Sequence, residues 1–251
     1  MSSSIKDWWN ANSRKYQEDS KIPTDSAHYG PYAPFENSLN LLGDVRGKRI
    51  LEIGCGGGQC SIAFSKQGAH CIGFDVSEDQ LSFATALAKK EQADVEFILG
   101  SFEKLNMLNS GSQDIVFSAF ALQYAPDLGR VFSEVRRVLS NEGRFIFSVD
   151  HPFYVIFDAL APRLKSRYFR IERSYFDTGK SVKKWPDNSK RSFWFYKRKI
   201  SDIYNSLTSS GFFVQQIIEP FDSTQDLWKE IFPQDLCELI GPTLIFVSKR
   251  I

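Results

Sequence analysis

The chain has 251 residues, is 42% hydrophobic and carries 22 phenylalanines, enough to bury a sizeable core in one large domain or in one domain with an insertion. A formal net charge of +1 speaks against a protein that binds polyanions with its whole surface. Cys55, Cys60, Cys71 and Cys237 form no C-x-x-C pair and have no histidine at ligand spacing, so reduced thiols are expected rather than a zinc site. The first ten residues lack the apolar stretch of a signal peptide, and no apolar run reaches membrane-spanning length, so a cytoplasmic protein with no membrane partner is expected.

Residues 1–33 are polar and aromatic, with Tyr16, His28, Tyr29 and Tyr32. Pro34 to Leu42 reads as a short helix, with proline near its start and Gly43 past its end. Arg49 to Ile53 is a short apolar strand that runs into glycines, and Ser61 to Lys66 continues as a helix. His70 to Phe74 is a second strand, ending at Asp75. Ser77 to Gln80 then forms a capping box that opens a helix with Leu81, Ala84 and Ala88 at helical spacing. Val95 to Leu99 and Asp114 to Ser118 are strands three and four. Val131, Val135, Val138 and Leu139 make an amphipathic helix, and Asn141-Glu142-Gly143 turns the chain into a fifth strand, Arg144 to Val149. After Asp150 the alternation breaks, and residues 151–199 have no assigned structure. A helix from Ser201 to Ser210, closed by Gly211, and strands at Phe213 to Ile218 and Thr243 to Ser248 complete the chain.

Alternating strands and helices predict an α/β fold with a mostly parallel sheet, whose ligands bind beyond the carboxyl ends of the strands. The first strand leads into Glu52-Ile53-Gly54-Cys55-Gly56-Gly57-Gly58-Gln59, where glycine lets the backbone turn and approach a ligand. Asp75 ends the second strand 21 residues after Gly54, where a carboxylate can accept both hydroxyls of a ribose. The dinucleotide fingerprint G-x-G-x-x-G requires its third glycine at Gln59, whereas the glycine here comes one residue early, at Gly58. That disfavours a nicotinamide-dependent reductase.

The E-x-G-x-G-x-G pattern resembles the class I methyltransferases that use S-adenosylmethionine, whose cofactor has no pyrophosphate to cradle. The resemblance covers residues 45–150 and extends to Gly73-Phe74-Asp75-Val76-Ser77, Gln113 to Ser118, Val135 to Leu139 with Gly143-Arg144-Phe145, and the stretch from Ser201 to Pro220. It implies a Rossmann-like seven-stranded, mostly parallel sheet with helices on both faces and a lid insertion after strand five. In one domain, residues 1–43 form a cap, 44–150 the cofactor core, 151–199 the lid and 200–251 the rest of the sheet. The resemblance places Glu52, Gly54, Cys55 and Gly56 against the cofactor, Asp75 on its ribose, and Val76 with Gln80, Ser101 and Phe102 around its adenine. Ser118, Ala119 and Phe120 border its amino acid end, and Tyr16 and Tyr29 close over it. The family often has an acid at the place of Ser101 and a His-Arg pair at the place of Lys197-Arg198.

His151 follows strand five, where it is either a general base or a structural residue before Pro152. Gln123 and Tyr124 either touch substrate or pair at the surface, and Trp8 and Trp9 read as packing residues. Residues 163–199 hold thirteen Lys or Arg against three acids, interleaved with Tyr168, Phe169, Tyr175, Phe176, Trp185 and Trp194. Such a run is a solvated face, a lid, or a site for an acidic substrate. The expected activity is methyl transfer from S-adenosylmethionine to a small molecule, acidic if the basic span serves it, by a monomer or homodimer. The alternatives are an RNA methyltransferase and a cofactor-binding regulatory module without transfer.

Overall fold

The computed structural model describes residues 4–157, 170–184, 192–225, 227–229 and 232–251. In chain order the helices are α1 (Ile5–Ser20), α2 (Glu36–Leu39), α3 (Gln59–Lys66), α4 (Glu78–Lys90), α5 (Leu128–Val138), α6 (Ile200–Ser209) and α7 (Gln234–Cys237). The strands are β1 (Arg49–Ile53), β2 (His70–Asp75), β3 (Val95–Leu99), β4 (Gln113–Ser118), β5 (Leu139–Asp150), β6 (Gly179–Lys184), β7 (Ser192–Lys197), β8 (Phe212–Ile218) and β9 (Thr243–Arg250).

Seven strands form one sheet in the order β3-β2-β1-β4-β5-β9-β8. β1 to β5 are mutually parallel, and β9 runs antiparallel to both β5 and β8. The central strands are apolar on both sides, and their residues alternate between two cores. Leu51, Ile53, Val116, Phe145, Phe147 and Phe246 face the side covered by α5 and α6. Ile50, Ile115, Phe117, Ile146, Ile245 and Val247 face the other side, with Phe64 of α3 and the segment around Tyr29 to Val45. A strand that buries both faces needs helices on both, which is why the chain alternates as it does. Phe145, Phe147 and Phe246 stack in a row, at ring separations of 4.7 and 5.0 Å.

Several elements depart from the expected ones. The N-terminal segment forms a 16-residue helix, α1, started by a capping box in which Ser4 and Asp7 exchange backbone and side-chain hydrogen bonds. The helix expected over Pro34–Leu42 shrinks to the single turn of α2, because Asn40 takes a left-handed conformation. At α4 only half of the expected capping box exists. Ser77 Oγ accepts from the Gln80 N–H, but the Gln80 side chain accepts from Gln17 of α1 instead of turning back. The turn at Asn141-Glu142-Gly143 is absorbed into β5, as an irregularity in its pairing with β4. Between β5 and α6, β6 and β7 form a two-stranded antiparallel hairpin of their own.

Candidate active site

The parallel strands deliver Gly54, Asp75, Ala119 and Asp150 to one edge of the sheet, where a cavity of about 310 Å³ opens. Its near half is the glycine loop and the end of β2. Gly54 has φ +71°, and a Cβ there would stand 2.4 Å from the Cβ of Ala121, so the loop and the β4 exit touch through a glycine. At Gly57 a Cβ would lie 2.5 Å from the Gln17 amide, so this glycine lets α1 lie directly on the loop. Gln17 sits in a buried chain, accepting from Gln59 Nε2 at 2.6 Å and donating to Gln80 Oε1 at 2.8 Å. One residue of α1 thus joins the starts of α3 and α4.

Asp75 holds the loop through its carboxylate. Oδ2 accepts the Gly56 N–H and Oδ1 the Ser77 N–H, each at 2.9 Å. Each oxygen keeps lone-pair capacity on a partly exposed carboxylate that lines the cavity, which is what a ribose diol requires. Burial raises the Asp75 pKa above its ordinary value. A Cβ on Gly56 would meet only Gln80 Oε1, at 3.9 Å, so the glycine leaves room there for a ligand. These residues fit the adenosine of the expected cofactor.

Glu52 is 2% exposed, and its Oε2 accepts the Ser61 N–H at 2.8 Å and the Ser61 hydroxyl at 2.5 Å. Burial pushes its pKa up to about 7. With the folded value above the free one, the protein is favoured by a protonated Glu52 below about pH 4.5, and that contribution is lost as pH rises through about 7. Glu52→Gln should therefore gain stability over the parent between pH 5 and 8, by up to about 3 kcal/mol. Urea denaturation of both proteins at the two pH values measures this, and parallel pH slopes would contradict it.

Of the other expected site residues, Tyr16, Cys55, Val76, Gln80, Ser101, Phe102, Ala119 and Phe120 line the cavity. Phe120 is held at φ +55° while its N–H bonds to the Ser148 carbonyl and hydroxyl oxygens, a strained backbone at the cavity wall. Three residues are placed elsewhere. Tyr29 is fully buried in the core, its hydroxyl donating to Glu36 at 2.5 Å and its ring edge-on to Phe117. Ser118 is buried and donates to the Ile53 carbonyl at 2.9 Å, tying β4 to β1 rather than facing a ligand. His151 Nδ1 accepts the Phe153 N–H at 3.0 Å, so Nε2 carries the ring proton and donates to Glu219 at 2.7 Å. Both ring nitrogens of His151 are thus engaged, and the residue does not line the cavity.

The far half of the cavity comes from residues that carry no motif. Trp9 and Tyr16 of α1, Tyr124 from the single 3-10 turn after β4, and Phe193 of β7 form one aromatic wall. His28, Phe120, Trp228 and Phe232 form another. Trp9 and Tyr124 are thus cavity residues, as is Gln123. No lysine or arginine occurs among the described lining residues, and the charged ones are Glu52, Asp75, Glu103 and Asp150. Several described cations of the basic span are engaged away from the cavity. Lys197 pairs with Asp177, Arg173 with the Ser181 hydroxyl, Arg198 donates to the Ala125 carbonyl, and Lys180 lies 4.6 Å over Trp194. Lys197 and Arg198, at the place of the family's His-Arg pair, thus brace the hairpin. Tyr168, Phe169 and Trp185 lie outside the described residues. Tyr175 accepts the Ile200 N–H and Phe176 is exposed, so neither closes the cavity. No helix of the described residues is long and apolar enough to cross a membrane, and none of their His, Cys, Asp and Glu side chains cluster as a metal site.

Residues 51–147 match the family model described as a methyltransferase domain. An uncharacterized protein of Haemophilus influenzae is 30% identical over 221 residues, which cover 84% of each chain. A ubiquinone biosynthesis O-methyltransferase of Hahella chejuensis is 32% identical over 102 residues, covering 41% of this chain and 43% of that protein. Among solved structures, the S-adenosylmethionine dependent methyltransferase from Mesorhizobium loti is similar with a TM-score of 0.67 and 28% identity, over 84% of this chain and 95% of that one.

Proposed function

The chain belongs to the class I S-adenosylmethionine-dependent methyltransferases, and from that premise we propose that its acceptor is a small, largely aromatic molecule without a negative charge. The observation that carries this reading is the far half of the cavity, walled by aromatic side chains, with no described lysine or arginine among the cavity's lining residues. A carboxylate or phosphate there would be desolvated with no described lysine or arginine lining the cavity to pair with it, which is unfavourable. A flat apolar acceptor would stack on Trp9, Tyr124 or Phe193. The basic span gives the acidic-substrate expectation no support, since none of its described cations lines the cavity.

When bound, S-adenosylmethionine supplies a methyl group already activated by the sulfonium charge. The work left to the protein is to hold the two reactants in line and keep water out. In this reading Asp75 holds the ribose, while Gly54 and Gly56 give the cofactor room. The hairpin closes the acceptor side through Phe193. Transfer of labelled methyl groups tests it. Label is expected in neutral aromatic hydroxyl or amine compounds, at least tenfold above carboxylated analogues, and not in bulk RNA. Label that enters only RNA, or only carboxylated acceptors, overturns it.

A further inference from the structure

Among the cavity residues, His28 stands out because its buried Nδ1 has no hydrogen-bond partner among the described residues. It is 9% exposed, lines the cavity, and packs on Trp228 at a ring separation of 5.3 Å. Its backbone carbonyl faces Cys60 Sγ at 3.9 Å, a contact any residue type would keep. Burying an unpaired imidazole nitrogen is unfavourable, and nearly all buried polar side chains in folded proteins find a partner. A phenyl ring of similar shape would pack on Trp228 without that penalty. Nδ1 itself is shut off from solvent, but the remaining exposed part of the ring borders the cavity, so an imidazole in this position points to a polar ligand group that meets that edge.

We propose that His28 is an acceptor-binding residue that selects for a hydroxyl group on the methyl acceptor, an inference that rests on the aromatic-acceptor reading above. Neutral imidazole offers one N–H and one lone pair. A hydroxyl both donates and accepts, so it complements either tautomer, whereas a plain hydrocarbon complements neither. The ring acts by hydrogen bonding and orientation. Burial lowers its pKa to about 4, so it is neutral near pH 7. A phenol titrates near pH 10, about six decades higher, so His28 does not remove its proton outright. It fixes where the oxygen sits while Trp228 and Phe232 hold the apolar body.

Phenol and toluene are the probes, since they differ in one hydroxyl, and both are titrated into the protein loaded with S-adenosylhomocysteine. The ratio of phenol to toluene affinity is expected to fall about tenfold on His28→Phe, the size of one hydrogen bond. The difference in hydrophobicity between the probes cancels in that comparison. His28→Gln, whose amide can still accept and donate, should keep part of the preference. S-adenosylhomocysteine affinity should change less than twofold in either variant. In the parent protein labelled with ¹⁵N-histidine, the His28 ring-nitrogen signals should shift with phenol and not with toluene, a readout that does not depend on any variant folding. If both probes bind but the ratio and the His28 signals do not respond to the hydroxyl, the His28 assignment is overturned and the aromatic chamber stands. If neither binds, the chamber reading falls and this inference with it.

Discussion

Replacing Asp75 with alanine should weaken S-adenosylhomocysteine binding at least tenfold, and about a hundredfold if both ribose hydroxyls lose their acceptor. Hydrogen bonds to a charged group are worth about 1.5–3 kcal/mol each, and about 1.4 kcal/mol is a factor of ten. The carboxylate also accepts from the Gly56 and Ser77 N–H groups, so a loss of affinity alone would not separate ribose binding from loop support. A second ligand does. The parent protein should prefer S-adenosylhomocysteine over its 2′,3′-dideoxy analogue by at least tenfold, and Asp75→Ala should barely distinguish them. Calorimetry with both ligands on both proteins completes the cycle. If the variant keeps the parent's preference, Asp75 is a loop anchor and the ribose is held elsewhere.

Gly54→Ala should be nearly as damaging, for a steric reason. The residue has φ +71°, and its new Cβ would be placed 2.4 Å from the Ala121 Cβ, well inside van der Waals contact. The left-handed conformation alone costs an alanine about 1–2 kcal/mol. The clash adds to this and pushes the glycine loop away from the β4 exit, between which the cofactor is expected to lie. Affinity for S-adenosylhomocysteine should fall more than tenfold, with a lower melting temperature. Adding Ala121→Gly removes the atom that is struck. The double variant should recover most of the affinity and retain only the conformational penalty. A double variant as weak as Gly54→Ala would show that backbone conformation, not the contact with Ala121, is what the glycine protects.

The places where sequence and structure part company share one cause, which is that side chains choose partners from distant segments. Gln80 stands at the right offset for a capping box, yet Gln17, 63 residues away, takes its carbonyl oxygen. Tyr29 lies close in sequence to cavity residues such as His28 and Gly30, but Glu36 offers its hydroxyl a buried carboxylate on the core side. His151 follows a strand end that points at the cavity, and its ring turns instead to Glu219 and the Phe153 amide. The N-terminal helix is the exception, since its start is marked locally by the Ser4–Asp7 capping box.

By itself the sequence determined the sheet and brought the glycine loop and Asp75 to one edge of it. Strands that are apolar on both faces, alternating with amphipathic helices, admit few arrangements other than a parallel sheet covered on both sides. A glycine loop after β1 and an acid at the end of β2 come to the same edge in any such sheet, because adjacent parallel strands end together. These signals are local or periodic, and survive without knowledge of long-range packing. Only the tertiary structure decided the aromatic half of the cavity. His28, Tyr124, Phe193 and Trp228 come from four separate segments, and converge because α1, the β6–β7 hairpin and the loop before α7 fold over one edge of the sheet. Their sequence neighbours carry no periodicity that marks which ring faces the cavity. The aromatic lining was decided in the same way, with no lysine or arginine among the described lining residues, while Lys197 pairs with Asp177, Arg173 with the Ser181 hydroxyl and Arg198 with the Ala125 carbonyl.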